Sequence, residues 1–350
     1  MAYTTINKSS LHMNTKLYVG DGSNTQAITG VGFQPDLTWI KSRDATHDHY
    51  SFDAVRTNKK GLEPSDTSAE RTPTLGSFDS DWFTFASTDG FYNTNSGTYV
   101  AWNWKANGSG SANTDGDINS TVSVNTTAGF SIVKYTGNGS SNQSIGHGLG
   151  VRPKMIWVKN LDTAGAWMIW GDSFNSGSGV QKFLQFTQLD NANTGSAGDF
   201  PDEPTTSVFK VGSYDTMNKS GDNIIAYCFA EITGYSKFGM YHNNGNANGP
   251  FVYTGFKPAF VLVKSSDRNT SNWNLLDDKR PGYNVTDYRI KISATAEQTG
   301  NVNCIDILSN GFKIRGVDDD MNASGPGDDY IYYAVGQSLV GSNDIPCTAF

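Results

Sequence analysis

Charge is scarce in this 350-residue chain: 17 % of residues are Asp, Glu, Lys or Arg, against roughly 25 % in a typical soluble domain. The formal net charge is -8 and no run of like charge stands out. Binding a polyanion by releasing its counterions needs clustered Lys and Arg, so nucleic acid is not an expected partner. Long apolar runs are also missing. None approaches the ~20 residues of a membrane helix, so membrane insertion is not expected. Histidine is limited to His12, His47, His49, His147 and His242. There is no His-Glu-x-x-His, no phosphate loop and no dinucleotide fingerprint. Without a nucleophile–base pair or a metal set the chain reads as a non-enzyme that needs no cofactor. Cysteine is rare as well. Cys228, Cys304 and Cys347 are odd in number and lack metal-type spacing, which argues against a disulfide framework. The first two read as small buried hydrophobes. Met1–Ser10 is polar and lacks the apolar centre of a secretion signal.

Aromatic residues, by contrast, make up 12 % of the chain, too much apolar material for a disordered polymer. They sit in short runs with β-branched residues, separated by Gly, Asn, Ser and Thr. Flat, half-buried strands joined by tight turns need that alternation.

The most informative feature is a repeat. Gly32-Phe33-Gln34-Pro35-Asp36-Leu37-Thr38-Trp39-Ile40-Lys41 returns as Gly150-Val151-Arg152-Pro153-Lys154-Met155-Ile156-Trp157-Val158-Lys159. It returns again as Gly255-Phe256-Lys257-Pro258-Ala259-Phe260-Val261-Leu262-Val263-Lys264. A short strand ending in a Gly/Asn turn precedes each copy. Each is followed by a Phe strand, a Ser-Gly pair and an apolar closing strand: Tyr99–Trp102, Ile224–Tyr227 and Tyr330–Tyr333. Proline fixes φ and lacks an N–H, so it belongs in a turn or at a strand's start. The run behind it is apolar on both faces, as a strand covered on two sides would be.

The expected fold is all-β, with three tandem β-sandwich or jelly-roll-like domains behind a short N-terminal arm. The boundaries are 1–16 for the arm, 17–107 for domain one, 108–129 for a polar linker or edge strand, 130–233 for domain two, 234–338 for domain three and 339–350 for a tail. The alternation from Ile118 to Val124 suits an edge strand better than a free linker.

Some residues tempt a chemical reading. His47 and His49, on one face of a strand, could ligate a transition metal, although a lone pair is more often polar loop. Asp318 and Asp320 belong to the densest carboxylate cluster, yet the Ca²⁺ loop pattern is missing and a solvated loop is the blander reading. His147 lies in Gly146-His147-Gly148-Leu149-Gly150, a turn whose place in the other copies is held by Thr29 and Val252. No carboxylate pair for glycoside cleavage can be singled out. Trp102 and Trp104 share one strand face and Trp167 and Trp170 follow a turn; core packing is the simpler reading for each. Surface contact is expected from the Asn/Ser/Gly loops, through Asn142, Asn243, Asn244 and Asn246.

The chain resembles a family of structural, tail-fibre-like proteins with repeated domains from marine and cyanobacterial phages. The resemblance rests on Met1-Ala2-Tyr3-Thr4-Thr5-Ile6-Asn7-Lys8, Gly32-Phe33-Gln34-Pro35-Asp36, Phe52-Asp53-Ala54-Val55-Arg56, Tyr99-Val100-Ala101-Trp102-Asn103-Trp104-Lys105-Ala106, Gly146-His147-Gly148-Leu149-Gly150 and Ala230-Glu231-Ile232-Thr233-Gly234-Tyr235-Ser236-Lys237-Phe238-Gly239. It covers nearly the full length and carries over no catalytic residues. It implies a virion component made in the host cytoplasm: a tail-fibre or appendage subunit aiding host attachment. The alternatives are a head fibre, capsid decoration or tail accessory protein, with a glycan depolymerase third. The expected partners are other virion proteins docked through the arm (Tyr3, Ile6, Leu11), further copies of the chain in a homotrimer, and a host-surface glycan or protein.

Overall fold

The computed structural model describes residues 4–56, 60–175, 179–193, 195, 198–280, 284–300 and 303–340. The fold is all-β, and its named strands pair antiparallel in three two-sheet modules. In the first module Met13–Val19, Thr98–Trp104, Leu37–Ser42 and Tyr50–Asp53 lie side by side in that order. The third repeats this with Ser236–His242, Asp329–Gly336, Pro258–Ser265 and Asn274–Asp277, and adds Ile290–Lys291. The second uses Phe130–Thr136, Asn223–Phe229, Met155–Asn160 and Met168–Gly171 in the same order, extended at both ends to seven strands. A smaller sheet covers each of these: Ala27–Ile28 with Phe83–Phe85, Arg71–Phe78 and Lys60–Gly61; Gln143–Gly146 with Val208–Val211; and Asn248–Tyr253 with Gly311–Arg315 and Ile305–Leu308.

The signature glycines Gly32, Gly150 and Gly255 all have positive φ, at 92°, 72° and 84°. L-residues with a side chain rarely adopt that backbone, which explains why glycine opens each copy. The strand that follows has two buried faces, and the structure shows what covers each. Trp39, Trp157 and Leu262 enter one common core. Their strand neighbours Ile40, Val158 and Val263 enter three separate module cores, each between a module's own two sheets. The closing strands divide alike: Trp102, Tyr227 and Tyr333 face the common core, and Ala101, Ala226 and Tyr332 face inward to their own modules.

The three large sheets pack on one another through that common core. The common core mixes aliphatic and aromatic side chains, with edge-to-face contacts between Trp39 and Trp157 at 5.7 Å and between Trp104 and Phe260 at 5.7 Å. Such pairs add roughly 0.5–1.5 kcal/mol each beyond their area burial.

Residues 108–129 belong to the second module's large sheet. Ser120–Asn125 lies between Phe130–Thr136 and Ser111–Asn113, so Ser111–Asn113 forms the edge and the expected edge strand is one position in. The end of the expected arm is already sheet, because Met13 pairs opposite Trp104. Ahead of it, Ile6 is buried in the common core. Ser9 Oγ donates to Gln337 O at 3.2 Å, and Asn7 O accepts from Leu339 N at 2.8 Å.

Candidate functional site

The signature lysines Lys41, Lys159 and Lys264 occupy equivalent strand positions and are fully buried. Each ammonium donates to backbone carbonyls, one of them in a neighbouring module. Lys41 reaches Thr295 O in the third module at 3.2 Å. Lys159 reaches Thr67 O in the first at 2.9 Å, and Lys264 reaches Leu189 O in the second at 3.0 Å. The direction of the three contacts is the same, so they close a ring. Burial lowers all three lysines from 10.5 to about 8, opposed only in part by nearby carboxylates. A charged group survives in such a place because carbonyl oxygens replace its water.

A second ring lies one strand over, where His49, Trp167 and Trp273 stand in equivalent positions. Trp167 Nε1 donates to Glu63 O and Trp273 Nε1 to Gln185 O, both at 2.9 Å. His49 Nε2 lies 3.1 Å from Lys291 O, while its Nδ1 accepts from Trp39 Nε1 at 3.0 Å. Those partners fix the neutral Nε2–H tautomer. Burial, followed by the neighbouring Lys41 charge, holds the His49 pKa well below 6.5.

A third set is incomplete. Asp53 binds Arg56 Nε at 2.6 Å and accepts from the second module's Tyr227 hydroxyl at 2.7 Å. Asp277 binds Arg280 Nε at 2.7 Å and accepts from the first module's Trp102 Nε1 at 3.1 Å. In the second module Gly171 and Phe174 stand at these two positions, and the Phe174 ring fills the space a Cβ on Gly171 would need. The hydroxyl of Tyr333, with no carboxylate to reach, accepts from Trp104 Nε1 at 3.3 Å.

The residues selected from sequence fall in varied places. His47 and His49 precede their strand and diverge: His47 meets the Phe91 ring edge-on at 5.1 Å while His49 points inward. Asp318 is held by both Arg289 Nη atoms at 2.9 Å, and Asp320 by Lys291 Nζ at 2.8 Å. Among the described residues no group of three His, Cys, Asp or Glu could hold a metal ion. His147 is buried, accepting from Leu149 N and facing Thr205 O. Seven of the eight tryptophans, Trp39, Trp102, Trp104, Trp157, Trp167, Trp170 and Trp273, are buried, and Trp82 is partly exposed.

Of the loop asparagines, Asn142 is an exposed turn residue with φ 55°. Asn244 and Asn246 are exposed, and in successive turns Asn244 Oδ1 accepts from Asn246 N and Asn246 Oδ1 from Asn248 N. Asn243 is buried, accepting from Gly327 N and Asp328 N and donating to Ala323 O, so it is not part of the accessible surface. In the arm, Leu11 is exposed, Ile6 is inside the core, and Tyr3 lies outside the described residues.

The sequence reading missed three asparagines, Asn93, Asn218 and Asn322, each buried. Each pins its module's first turn. Their Oδ1 atoms accept from Asp21, Asn138 and Asn244 N at 3.1, 2.9 and 3.1 Å. Their Nδ2 atoms donate to Ser23, Ser140 and Asn246 O at 2.6–2.7 Å. An asparagine two or three residues before each Ser-Gly pair was the available signal.

Repeated residues directed into a shared centre place the three modules under one architecture, and a family match agrees. Residues 8–338 match the domain of unknown function DUF7483. The chain belongs to that family. The DUF7483 match runs through all three modules as a single unit. No curated protein and no solved structure matches the chain.

Proposed function

We propose that this DUF7483 chain is a structural subunit of a phage particle, in a tail fibre or similar appendage that contributes to host attachment. The observation carrying the structural half of that reading is the use of the repeated polar side chains. Lys41, Lys159, Lys264, His49, Asp53 and Asp277 are all buried, and all tie modules together. They stiffen a body by fixing one module against the next. The phage half rests on the resemblance of the motifs around Gly32, Phe52, Tyr99, Gly146 and Ala230. In a homotrimer, contacts would form through outer surfaces and the Leu11 end, since the modules' inner faces are already covered within one chain. A head fibre or capsid decoration is the second reading, on the same motifs. Immunogold labelling of purified particles tests both. Label on a tail appendage is expected; label on the capsid favours the second, and unlabelled particles refute the virion assignment.

A further inference from the structure

We infer that the recess between the second and third modules is a binding site for a neutral sugar. It has a volume of about 290 Å³, at the small end of the ~300–1,000 Å³ typical of small-molecule sites. Its wall is mostly polar, with donors and acceptors from Lys182, Asn191, Asp267 and Asp329 and a smaller apolar share from Phe174 and Met240. This mixture suits a sugar ring, whose C–H face packs on apolar side chains while each hydroxyl both donates and accepts.

The polar groups are held in place but not used up. Asn175 grips the Lys182 backbone, accepting from its N at 2.6 Å and donating to its O at 3.0 Å. Asp267 Oδ2 accepts from Asp329 N at 2.8 Å, and the Asp329 carboxylate pairs with the His242 ring. Around them the Lys182 ammonium and the Asn191 side-chain amide form no bond among the described residues. Ligand-free donors on a backbone already fixed reduce the ordering cost of binding. Two carboxylates beside one lysine disfavour an anionic sugar.

A second recess, of about 260 Å³, lies between the third and first modules against Met13, Asn14 and Thr15 and supplies a control. Its Lys279 is paired with Asp278 at 3.3 Å, and the neighbouring Arg280 is sealed against Asp277. The second module has Phe174 in place of that arginine and Ser173 in place of Lys279, and the lysine of its recess, Lys182, comes from a later loop.

The inference deepens the attachment reading and can fail separately from it. Particles labelled on an appendage without sugar binding would retire the recess alone; sugar binding by a protein absent from particles would retire only the virion placement. Saturation-transfer NMR on the full chain, with glucose, galactose, rhamnose, N-acetylglucosamine and glucuronic acid as probes, is the test. Transfer to at least one neutral sugar is expected. Binding should weaken by about tenfold or more in Lys182→Ala/Asn191→Ala and stay unchanged in Lys279→Ala. No transfer to any neutral sugar, undiminished binding by the double variant, or preference for glucuronic acid would overturn it. Asn191→Ala alone serves if the double variant does not fold.

Discussion

The lysine ring ties stability to alkaline pH in a direction opposite to most buried groups. Each lysine falls from 10.5 to about 8 on folding. Between those values the unfolded chain binds more protons than the folded one, so unfolding free energy rises with pH. From pH 7 to pH 9 the gain is a little over 1 kcal/mol per lysine, roughly 4 kcal/mol for the ring. Cys228 and Cys304, which burial pushes up, work the other way because the folded chain keeps protons that unfolded thiols lose. With the raised tyrosines they subtract about 1 kcal/mol over the same window.

Lys159→Met/Lys264→Met removes two members with little collateral loss. Thr67 O keeps its bond from Gly165 N at 2.7 Å, and Leu189 O keeps its bond from Ser271 N at 3.2 Å. Only Gly165 O and Ser271 O lose a donor. At about 1–3 kcal/mol for each unpaired carbonyl, that loss is comparable to the relief of no longer burying two charges, so stability at pH 7 should change little. The slope should change greatly. Urea midpoints measured from pH 7 to 9 should climb for the natural chain and stay flat or fall for the double variant. A natural chain whose midpoint falls across this range, or a double variant that climbs as steeply, would refute the ring's protonation state.

Arg280→Met strands the buried Asp277 carboxylate and should cost about 3–5 kcal/mol in urea unfolding, far more than Arg315→Met, whose pair with Asp306 is partly exposed. Acid should destabilise the fold as pH drops below 6.5: His49 is neutral when folded and charged when unfolded, so the unfolded state gains the proton. His49→Gln should flatten that part of a thermal-melt pH profile. Asn218→Ala leaves Asn138 N and Ser140 O without their partner and should cost about 1–3 kcal/mol, read as a lowered urea midpoint. Gly146→Ala drives a methyl into Asn113 Oδ1 and should lower the midpoint too, whereas Gly150→Ala meets no atom but strains a positive φ.

The Pro-led strands were legible because their two-sided apolar pattern survives in every copy, and the all-β class follows from it. What lies on the second face was not legible. A sequence shows that Trp39, Trp157 and Leu262 are apolar, but not that their cover is another module; period-two alternation is the same for either partner. The lysine closing each signature was visible, yet a lysine after an apolar run normally marks where a strand meets water. Only the neighbouring carbonyls explain its burial. The candidate residues were chosen by type, and type does not separate Asn243, locked on four backbone groups, from the exposed Asn244 beside it. The recess is composed of residues from loops and strands far apart in sequence, with no spacing that links Lys182 to Asp267.

The incomplete third set explains how one copy could diverge without loosening the ring. A buried ion pair roughly balances its attraction against the water it forgoes, so replacing both partners with apolar groups is tolerated while replacing one is not. Gly171 with Phe174 is such a paired replacement: the glycine leaves room that the ring occupies. The Tyr227 and Trp102 bonds to Asp53 and Asp277 fix the second module on the first and the first on the third. At the remaining contact, third on second, the lysine bond from Lys264 and the indole bond from Trp273 are retained. Two of the three ties hold that interface, and the position freed from the third is the one that places Phe174 in the recess it shares with Lys182.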